Sequence, residues 1–273
     1  MKTFEEITKD FVLRGISTDV PRFYDHPNFI AAELENPNYL LNSAFYVASQ
    51  PYSEQYLAQA ETIIRKVSRL LYEHLKKSKQ QRVCIDISGI LARILEKHGV
   101  WCAQIGGSCK IEFPPSFHQE ALKFDVGREL TAGHSWLFAP PFNIVDITIS
   151  EQGQSTKIKK YLPKLILKKG GSNSTVEIED IIDPSILFSI QNSGIPRNRI
   201  LQTLGLENME AVQRFFPVKV VETSKGVRFK FCPVKILASI EPLERLNAMK
   251  FKGKTAHELY KKHFEKNIGF IGV

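Results

Sequence analysis

The sequence predicts an α+β fold, in which a helix packs on an antiparallel sheet and a smaller C-terminal α+β region follows. Two observations indicate this class. Between 54 and 98, apolar residues recur at three- and four-residue spacing, which is typical of helices with one buried stripe. Between 100 and 148, short runs rich in β-branched and aromatic residues follow one another, as strands do. Helices followed by successive strands favour an α+β arrangement over a repeated βαβ unit.

Two amphipathic helices are expected before the strands. The first begins at Glu54, and its apolar stripe consists of Ile63, Ile64, Val67, Leu70, Leu71 and Leu75. The second is expected from about Cys84 to His98, and Gly99 directly after it is a typical helix stop. Asp86 lies in its first turn, where a carboxylate favours the helix dipole. The residues just before Cys84 include no ordinary N-cap side chain.

The strands are expected on both sides of two breaks. The runs "VWCAQI" and "SCKIEF" flank Gly106-Gly107, a pair that signals either a hairpin or a β-bulge. Residues 114–130 form a longer connection. The runs "HSWLF" and "NIVDITI" then predict two strands around Pro140-Pro141.

The chain is expected to divide into an N-terminal lead-in at 1–50, a core at 51–168 and an accessory region at 175–273. The segment "KKGGSNSTVEIED", at 168–180, has the composition of a linker. Beyond it, the sequence predicts short helices in "PSILFSIQ", "RNRILQTLGL" and "NMEAVQRFF", a hairpin turning at 224–226, and a basic helix in "TAHELYKKHFEKN".

Composition favours a reduced, cytoplasmic protein. The 273 residues include four cysteines, too few for a disulfide framework in a chain of this length. We find no secretory signal in "MKTFEEITKDFVLRG" and no apolar run near the roughly 18 residues of a membrane span. The formal charge of +8 is spread over lysines near 157–169, 219–230 and 250–266, which favours solvated lysine faces over nucleic-acid binding.

Three residues of the core could form a catalytic set. Cys84 begins a helix, His134 begins a strand 50 residues later, and Asp146 lies on the next strand. If those strands pair, His134 and Asp146 can sit side by side, so that the carboxylate orients the imidazole. A helix N-terminus and a nearby imidazolium favour a thiolate, which attacks acyl carbons. The order of these residues predicts acyl-transfer chemistry at Cys84.

The same motifs resemble a known family. "CIDISGILARILEKHGVWCAQIGG", "GHSWLF" and "NIVDITI" are similar, in this order, to the transglutaminase-like branch of the papain-like cysteine enzymes. The matching positions are Cys84 for the nucleophile, His134 with Ser135 and Trp136 for the histidine motif, and Asp146 with Thr148 for the acidic motif. The resemblance covers roughly residues 60–165.

The resemblance implies a papain-like core and a Cys-His-Asp triad acting on a protein or peptide substrate or on a small-molecule acyl donor. The gap between Cys84 and His134 is somewhat long because it includes 114–130, a loop that could shape a substrate groove. Arylamine N-acetyltransferases are a more distant likeness, but their Arg-Gly-Gly lead before the cysteine is replaced here by Gln80-Gln81-Arg82.

No cofactor or metal is expected. The sequence has no acidic loop with calcium-ligand spacing, unlike the animal transglutaminases. Cys102 and Cys109 are seven residues apart, which is not the paired spacing of a zinc site with His98 or His118. These cysteines, and Cys232 before Pro233, are therefore interpreted as structural.

The oxyanion donors are less visible in the sequence. The backbone N–H of Cys84 is a natural donor because amides at a helix start are unpaired. Gln81 and Gln104 are candidates for the second donor, and Trp136 is a candidate substrate contact.

The favoured function is cleavage of an amide or peptide bond, or transfer of the acyl group to an amine. The alternative is a degenerate transglutaminase-like scaffold that binds protein or nucleic acid through its basic C-terminal half. Residues 184–216 could form a helix-turn-helix with Arg197, Arg199 and Arg214 on phosphates, but the sequence favours a gating or partner-binding region.

Overall fold

The N-terminal segment folds into helices. In the computed structural model, which describes residues 3–125, 133–239 and 241–271, these helices are α1 (Phe4–Leu13), α2 (Pro27–Glu35) and α3 (Leu40–Ser49). Pro27 occupies the first position of α2, where its missing N–H costs no hydrogen bond. Buried side chains of all three helices join Ile105, Trp136 and Phe231 of the sheet in one apolar cluster. The three helices pack directly on the core. The predicted boundary between a lead-in and a core at residue 50 stays a prediction.

Both predicted amphipathic helices are present. Helix α4 spans Glu54–Ser78 and is capped by the Ser53 side chain, which accepts from the N–H of Tyr56. Helix α5 spans Cys84–Lys97, and its N-cap Val83 makes no side-chain capping bond. No side chain caps the start of α5, as the sequence predicts. The backbone N–H groups of its first turn therefore have no capping partner.

The strands form one curled antiparallel sheet. Its members are β1 (Ala103–Glu112), β2 (Leu122–Phe124), β3 (His134–Ala139), β4 (Phe142–Asp146), β5 (Ile166–Lys168), β6 (Ser172–Asn173), β7 (Lys219–Glu222) and β8 (Arg228–Leu237). Their order is β5-β4-β3-β1-β8-β7-β6, and β2 pairs with β1 outside this path. The α+β class and the strands on either side of Pro140-Pro141 are confirmed.

The hairpin alternative at Gly106-Gly107 is wrong. Residues 103–112 form a single strand, and its register against β8 shifts between the two glycines, so the bulge alternative is the correct one. A Cβ at Gly107 would lie 2.1 Å from the carbonyl oxygen of Cys232. Glycine is therefore needed because two backbones approach closely, which is a common reason for glycine inside a strand.

The C-terminal half completes the same sheet. The predicted linker at 168–180 contributes β6, which pairs with β7, and a 3-10 turn at Ile178–Asp180. A short helix, α6 (Thr156–Lys159), precedes this segment, and three follow it: α7 (Pro184–Asn192), α8 (Ile200–Thr203) and α9 (Met209–Phe215). The predicted hairpin is β7–β8. The basic tail forms α10 (Ala256–His263). Because β8 pairs with β1 along most of its length, strands from both sides of the linker share one sheet.

Side chains alternate between two apolar layers across this sheet. Leu137 and Val145 face a layer that includes α4, α5 and α10, whereas Trp136 and Ile144 face the layer of the N-terminal helices. None of the helices in the described part of the chain combines the length and apolar character needed to cross a membrane.

Candidate active site

Strand pairing brings His134 and Asp146 together. Strands β3 and β4 run antiparallel with Leu137 opposite Val145, so the start of β3 lies beside the end of β4. His134 Nε2 and Asp146 Oδ2 are 2.7 Å apart, and both side chains are 0% exposed. This is the adjacency that the sequence predicts, whereas the catalytic roles of the two residues stay a prediction.

The second oxygen of Asp146 is also engaged. Oδ1 accepts from the backbone N–H of Thr148 at 2.8 Å and from its hydroxyl at 2.9 Å. Thr148 is itself buried. Both oxygens of a fully buried carboxylate are thus satisfied, which holds its plane in one orientation toward the imidazole.

Cys84 contributes the third member of the set. It is the first residue of α5, and its thiol lies close enough to the His134 ring to raise the pKa of that imidazole. Nδ1 is buried and makes no well-formed hydrogen bond to any described group, so the thiol is close to the ring without a tight bond. Such loose contacts are common in enzymes before substrate binds.

The surroundings of the imidazole favour its protonated form. Burial lowers the pKa of His134, but the charge and hydrogen bond of Asp146, together with Cys84, raise it to about 10. A carboxylate bonded to the charged form of a base has this effect. The buried ring therefore lies beside a carboxylate that favours its protonated form, with Cys84 nearby.

Aromatic rings enclose the imidazole. Its centroid lies 5.7 Å from Phe124, 6.1 Å from Trp136 and 6.2 Å from Phe231. Trp136 is only 2% exposed and packs edge-on against Phe231 at 5.0 Å. This placement makes Trp136 a wall that supports His134, and it does not favour the direct substrate contact expected from the sequence.

Gln104 is occupied by structural bonds. Its Nε2 donates to the carbonyl of Ile85 at 2.9 Å and to the hydroxyl of Ser135 at 3.1 Å. Ser88 of α5 donates to the carbonyl of Ser135 at 3.0 Å, so the three polar residues tie the start of α5 to β1 and β3. Both amide hydrogens of Gln104 are in use, and the expectation that it serves as an oxyanion donor is not supported.

Gln81 lies at the surface, where its side chain makes no hydrogen bond to a described residue. Its Oε1 is 3.4 Å from the position of a Cβ at Gly153, and the N–H of Arg82 donates to the carbonyl of Glu151 at 3.2 Å. Gln154, which follows Gly153 in the sequence, has a buried side-chain amide. Its nitrogen and oxygen make no hydrogen bond to a described residue. Sequence reasoning missed Gln154 because no local pattern marks it.

The three other cysteines lie away from the His134–Asp146 pair in sequence and have no predicted catalytic role. Cys102, Cys109 and Cys232 are all buried and unpaired as thiols. Burial raises the pKa of Cys102 and of Cys109 well above the ordinary range, and it raises that of Cys232 to about 11. No group of three metal-ligating side chains occurs within the described residues, and His98 Nδ1 contacts the carbonyl of Gly269 instead.

The fold and the site define an α+β protein with a buried thiol, imidazole and carboxylate in contact. In comparisons with known proteins, no family model, no curated protein and no solved structure matches the chain. The transglutaminase-like resemblance therefore stays an interpretation of three motifs.

Proposed function

We propose that this protein is a thiol enzyme that forms an acyl-enzyme on Cys84. The observation that carries the proposal is the 2.7 Å bond between His134 and Asp146, on a ring whose pKa is also raised by the nearby thiol that opens α5. A nucleophile, a base and an orienting group in series form the arrangement that acyl-transfer enzymes use on unrelated folds.

The first half-reaction proceeds from a thiolate and an imidazolium. The Cys84 sulfur attacks the acyl carbon, a C–S bond forms, and the carbonyl electron pair moves onto oxygen. When the tetrahedral species collapses, the bond to the leaving group breaks and the leaving group takes the proton from His134 Nδ1. Water or an amine then gives its proton to the neutral ring as it attacks the thioester, and the C–S bond breaks.

Stabilisation of the oxyanion would begin at the backbone N–H of Cys84, in the unpaired first turn of α5. The second donor is more consistent with Gln154 or Gln81 than with Gln104, because Gln104 donates to Ile85 and Ser135. The placement of α5 against β3 also supports a papain-like core, in which a thiol-bearing helix meets the histidine strand.

Hydrolysis and transfer share this acyl-enzyme, and the proposal covers both. The substrate class stays a protein, a peptide or a small-molecule acyl donor. The 0% exposure of His134 and the 6% exposure of Cys84 favour a second candidate, a closed scaffold without chemistry. The two candidates differ in whether an acyl group can be transferred to the thiol.

The test combines alkylation and acylation. A tagged iodoacetamide should label Cys84 about tenfold faster than Cys102, Cys109 or Cys232, because only thiolates react quickly. His134→Asn should remove this advantage, while His118→Asn, at an exposed left-handed position that asparagine tolerates, should keep it. Equal labelling of all four cysteines would refute the proposal.

An aryl thioester separates the two candidates. The enzyme should gain the mass of one acyl group on Cys84, and Cys84→Ala should gain none. A thiol that alkylates rapidly but never acylates would favour the scaffold. Circular dichroism of each variant shows whether a loss of reactivity comes from unfolding.

A further inference from the structure

Five cationic or potentially cationic side chains come together from two distant parts of the chain, the end of α4 and the segment 254–263. They come from three elements: the end of α4, a turn at Phe251–Lys254, and the end of α10. The set, called here the α4–α10 basic cluster, consists of His74, Lys77, Lys254, Lys262 and His263.

The cluster is held by rigid parts of the fold. The rings of His74 and His263 lie 4.7 Å apart between centroids. Lys254 ends a tight turn, closed by backbone bonds of 2.7 and 3.2 Å to Phe251, in which Lys252 and Gly253 both have positive φ. The core beneath contains Leu71 and Leu75 of α4 and Phe251, Leu259 and Phe264 from the C-terminal segment. The packing of these three elements therefore brings the charges together, and the flexibility of the side chains is not the only cause.

Their charges are poorly neutralised. Within the described residues, Lys77, Lys254 and Lys262 form no ion pair, whereas Lys261, one residue away, pairs with Glu265. The nearest carboxylates are Glu73, beside His74, and Glu258, which already accepts from the N–H of Thr255 at 2.7 Å. Lys254 and Lys262 even lie within contact of each other.

The proximity of these groups also shows in their protonation. Contact with Lys262 lowers the pKa of Lys254. Burial lowers the pKa of both His74 and His263, and the neighbouring lysines lower both further. Cations in the last turn of a helix favour the helix dipole, which explains Lys77 and Lys262 singly. The helix dipole does not explain why the ends of α4 and α10 lie together with Lys254, because like charges in contact destabilise the folded state.

We propose that the α4–α10 basic cluster binds a phosphate group, whose oxygens would accept from Lys254, Lys262 and the two histidines. Several donors from separate elements, which lie close together and form no ion pair within the described residues, suit a small anion with several acceptor oxygens. The site is independent of the chemistry proposed at Cys84. Free polyphosphate and the backbone of a nucleic acid offer the same chemical group.

Calorimetric titration with inorganic tripolyphosphate at moderate salt tests the site. The double variant Lys254→Gln/Lys262→Gln should bind about tenfold more weakly, since two charge-assisted hydrogen bonds are lost. The matched control is Lys157→Gln/Lys164→Gln, which removes the same net charge from exposed lysines of another surface and should bind as the wild type does. Equal weakening in both variants, or no binding by the wild type, would overturn the proposal.

Proton magnetic resonance of the histidine rings gives a second measurement. Bound phosphate should raise the pKa of His74 and His263, because opposite charge favours the protonated ring, and the signals of the His118 ring serve as the control that phosphate does not move. Rings that do not respond to tripolyphosphate would contradict the site. A parallel titration with a single-stranded oligonucleotide identifies the source: tighter binding than tripolyphosphate, again weakened by Lys254→Gln/Lys262→Gln, indicates a nucleic-acid backbone.

Discussion

Thr148 holds Asp146 by two hydrogen bonds to a single oxygen. The hydroxyl and the backbone N–H of Thr148 both donate to Oδ1, at 2.9 and 2.8 Å, and Oδ2 remains for His134. Because these residues are two positions apart, the turn after β4 orients the carboxylate through a local contact. The motif Asp-x-Thr thus has a local physical role, whatever reaction it serves.

Asp146→Asn should separate charge from shape at this position. The amide can still bond to His134, but it no longer stabilises the protonated ring. We expect the rate of Cys84 alkylation at neutral pH to fall about 100-fold, the size of a typical general acid–base contribution. The rate is measured by mass spectrometry after timed labelling. Asp86→Asn, an exposed carboxylate in the first turn of α5, is the control and should change the rate little.

Thr148→Val should misorient the carboxylate without removing it. Valine keeps the volume and the backbone donor but lacks the hydroxyl, so we expect about a tenfold loss of reactivity at Cys84. Thr148→Ser should restore most of the rate because it returns the donor. The dependence of the rate on pH distinguishes positioning from general damage, since only positioning shifts the profile. Failure of serine to rescue would show that the methyl group, and not the hydroxyl, matters.

The raised pKa of His134 makes stability depend on pH. The value moves from 6.5 to about 10, so the folded state holds this proton more tightly than the unfolded chain. The stabilisation is fully present below 6.5 and is lost as pH rises through about 10. Urea unfolding should therefore show that His134→Gln, which cannot ionise, loses most stability near pH 6 and progressively less toward pH 10. A difference that does not change with pH would mean that the ring is neutral in the folded protein.

Periodicity predicted the parts of the fold that local sequence determines. The stripe and stop signal gave α5 within one residue of its end, and alternation gave β3 and β4. Gly106-Gly107 left two alternatives because glycine is typical of both a β-bulge and a hairpin turn. Only the close approach of the Cys232 backbone to Gly107 decides between them. Long-range contacts carry no such local signal.

The same limit applies to the site. The order of cysteine, histidine and aspartate located the three groups, since the pairing of consecutive strands is the commonest connection. The use of Gln104 by Ile85 and Ser135 depends on how α5 crosses β1, and the meeting of His74 with His263 depends on contacts 189 residues apart. Neither follows from residue type and spacing.

Gln104→Leu should destabilise the protein, because the amide ties α5 to β3. The carbonyl of Ile85 and the hydroxyl of Ser135 lose a buried partner, which costs about 1–3 kcal/mol in the free energy of unfolding. Gln81→Leu, at the surface, should leave stability nearly unchanged. Denaturant unfolding of both variants measures the contrast. Comparable stability of the two would show that water or rearrangement replaces the lost bonds.

Glu96 belongs to a buried cluster that joins the N-terminal segment to α5. Tyr24 donates to Oε1 at 2.5 Å, and Arg93 contacts Oε2 at 3.2 Å while also holding Asp25 through two bonds of 2.8 and 2.9 Å. Burial raises the pKa of Glu96 to about 7, although Arg93 and Tyr24 oppose the rise. The carboxyl is therefore the group in this cluster that changes charge near neutrality.

A raised carboxyl pKa means that the folded state binds the proton more tightly than the unfolded chain does. Its contribution to stability is present at low pH and is lost as pH rises from 4.5 through about 7. Glu96→Gln should therefore gain stability relative to the wild type across this range, whereas the exposed Glu207→Gln should follow the wild type. Thermal unfolding at closely spaced pH values measures both. A constant difference between Glu96→Gln and the wild type would show that Arg93 keeps the carboxylate ionised throughout.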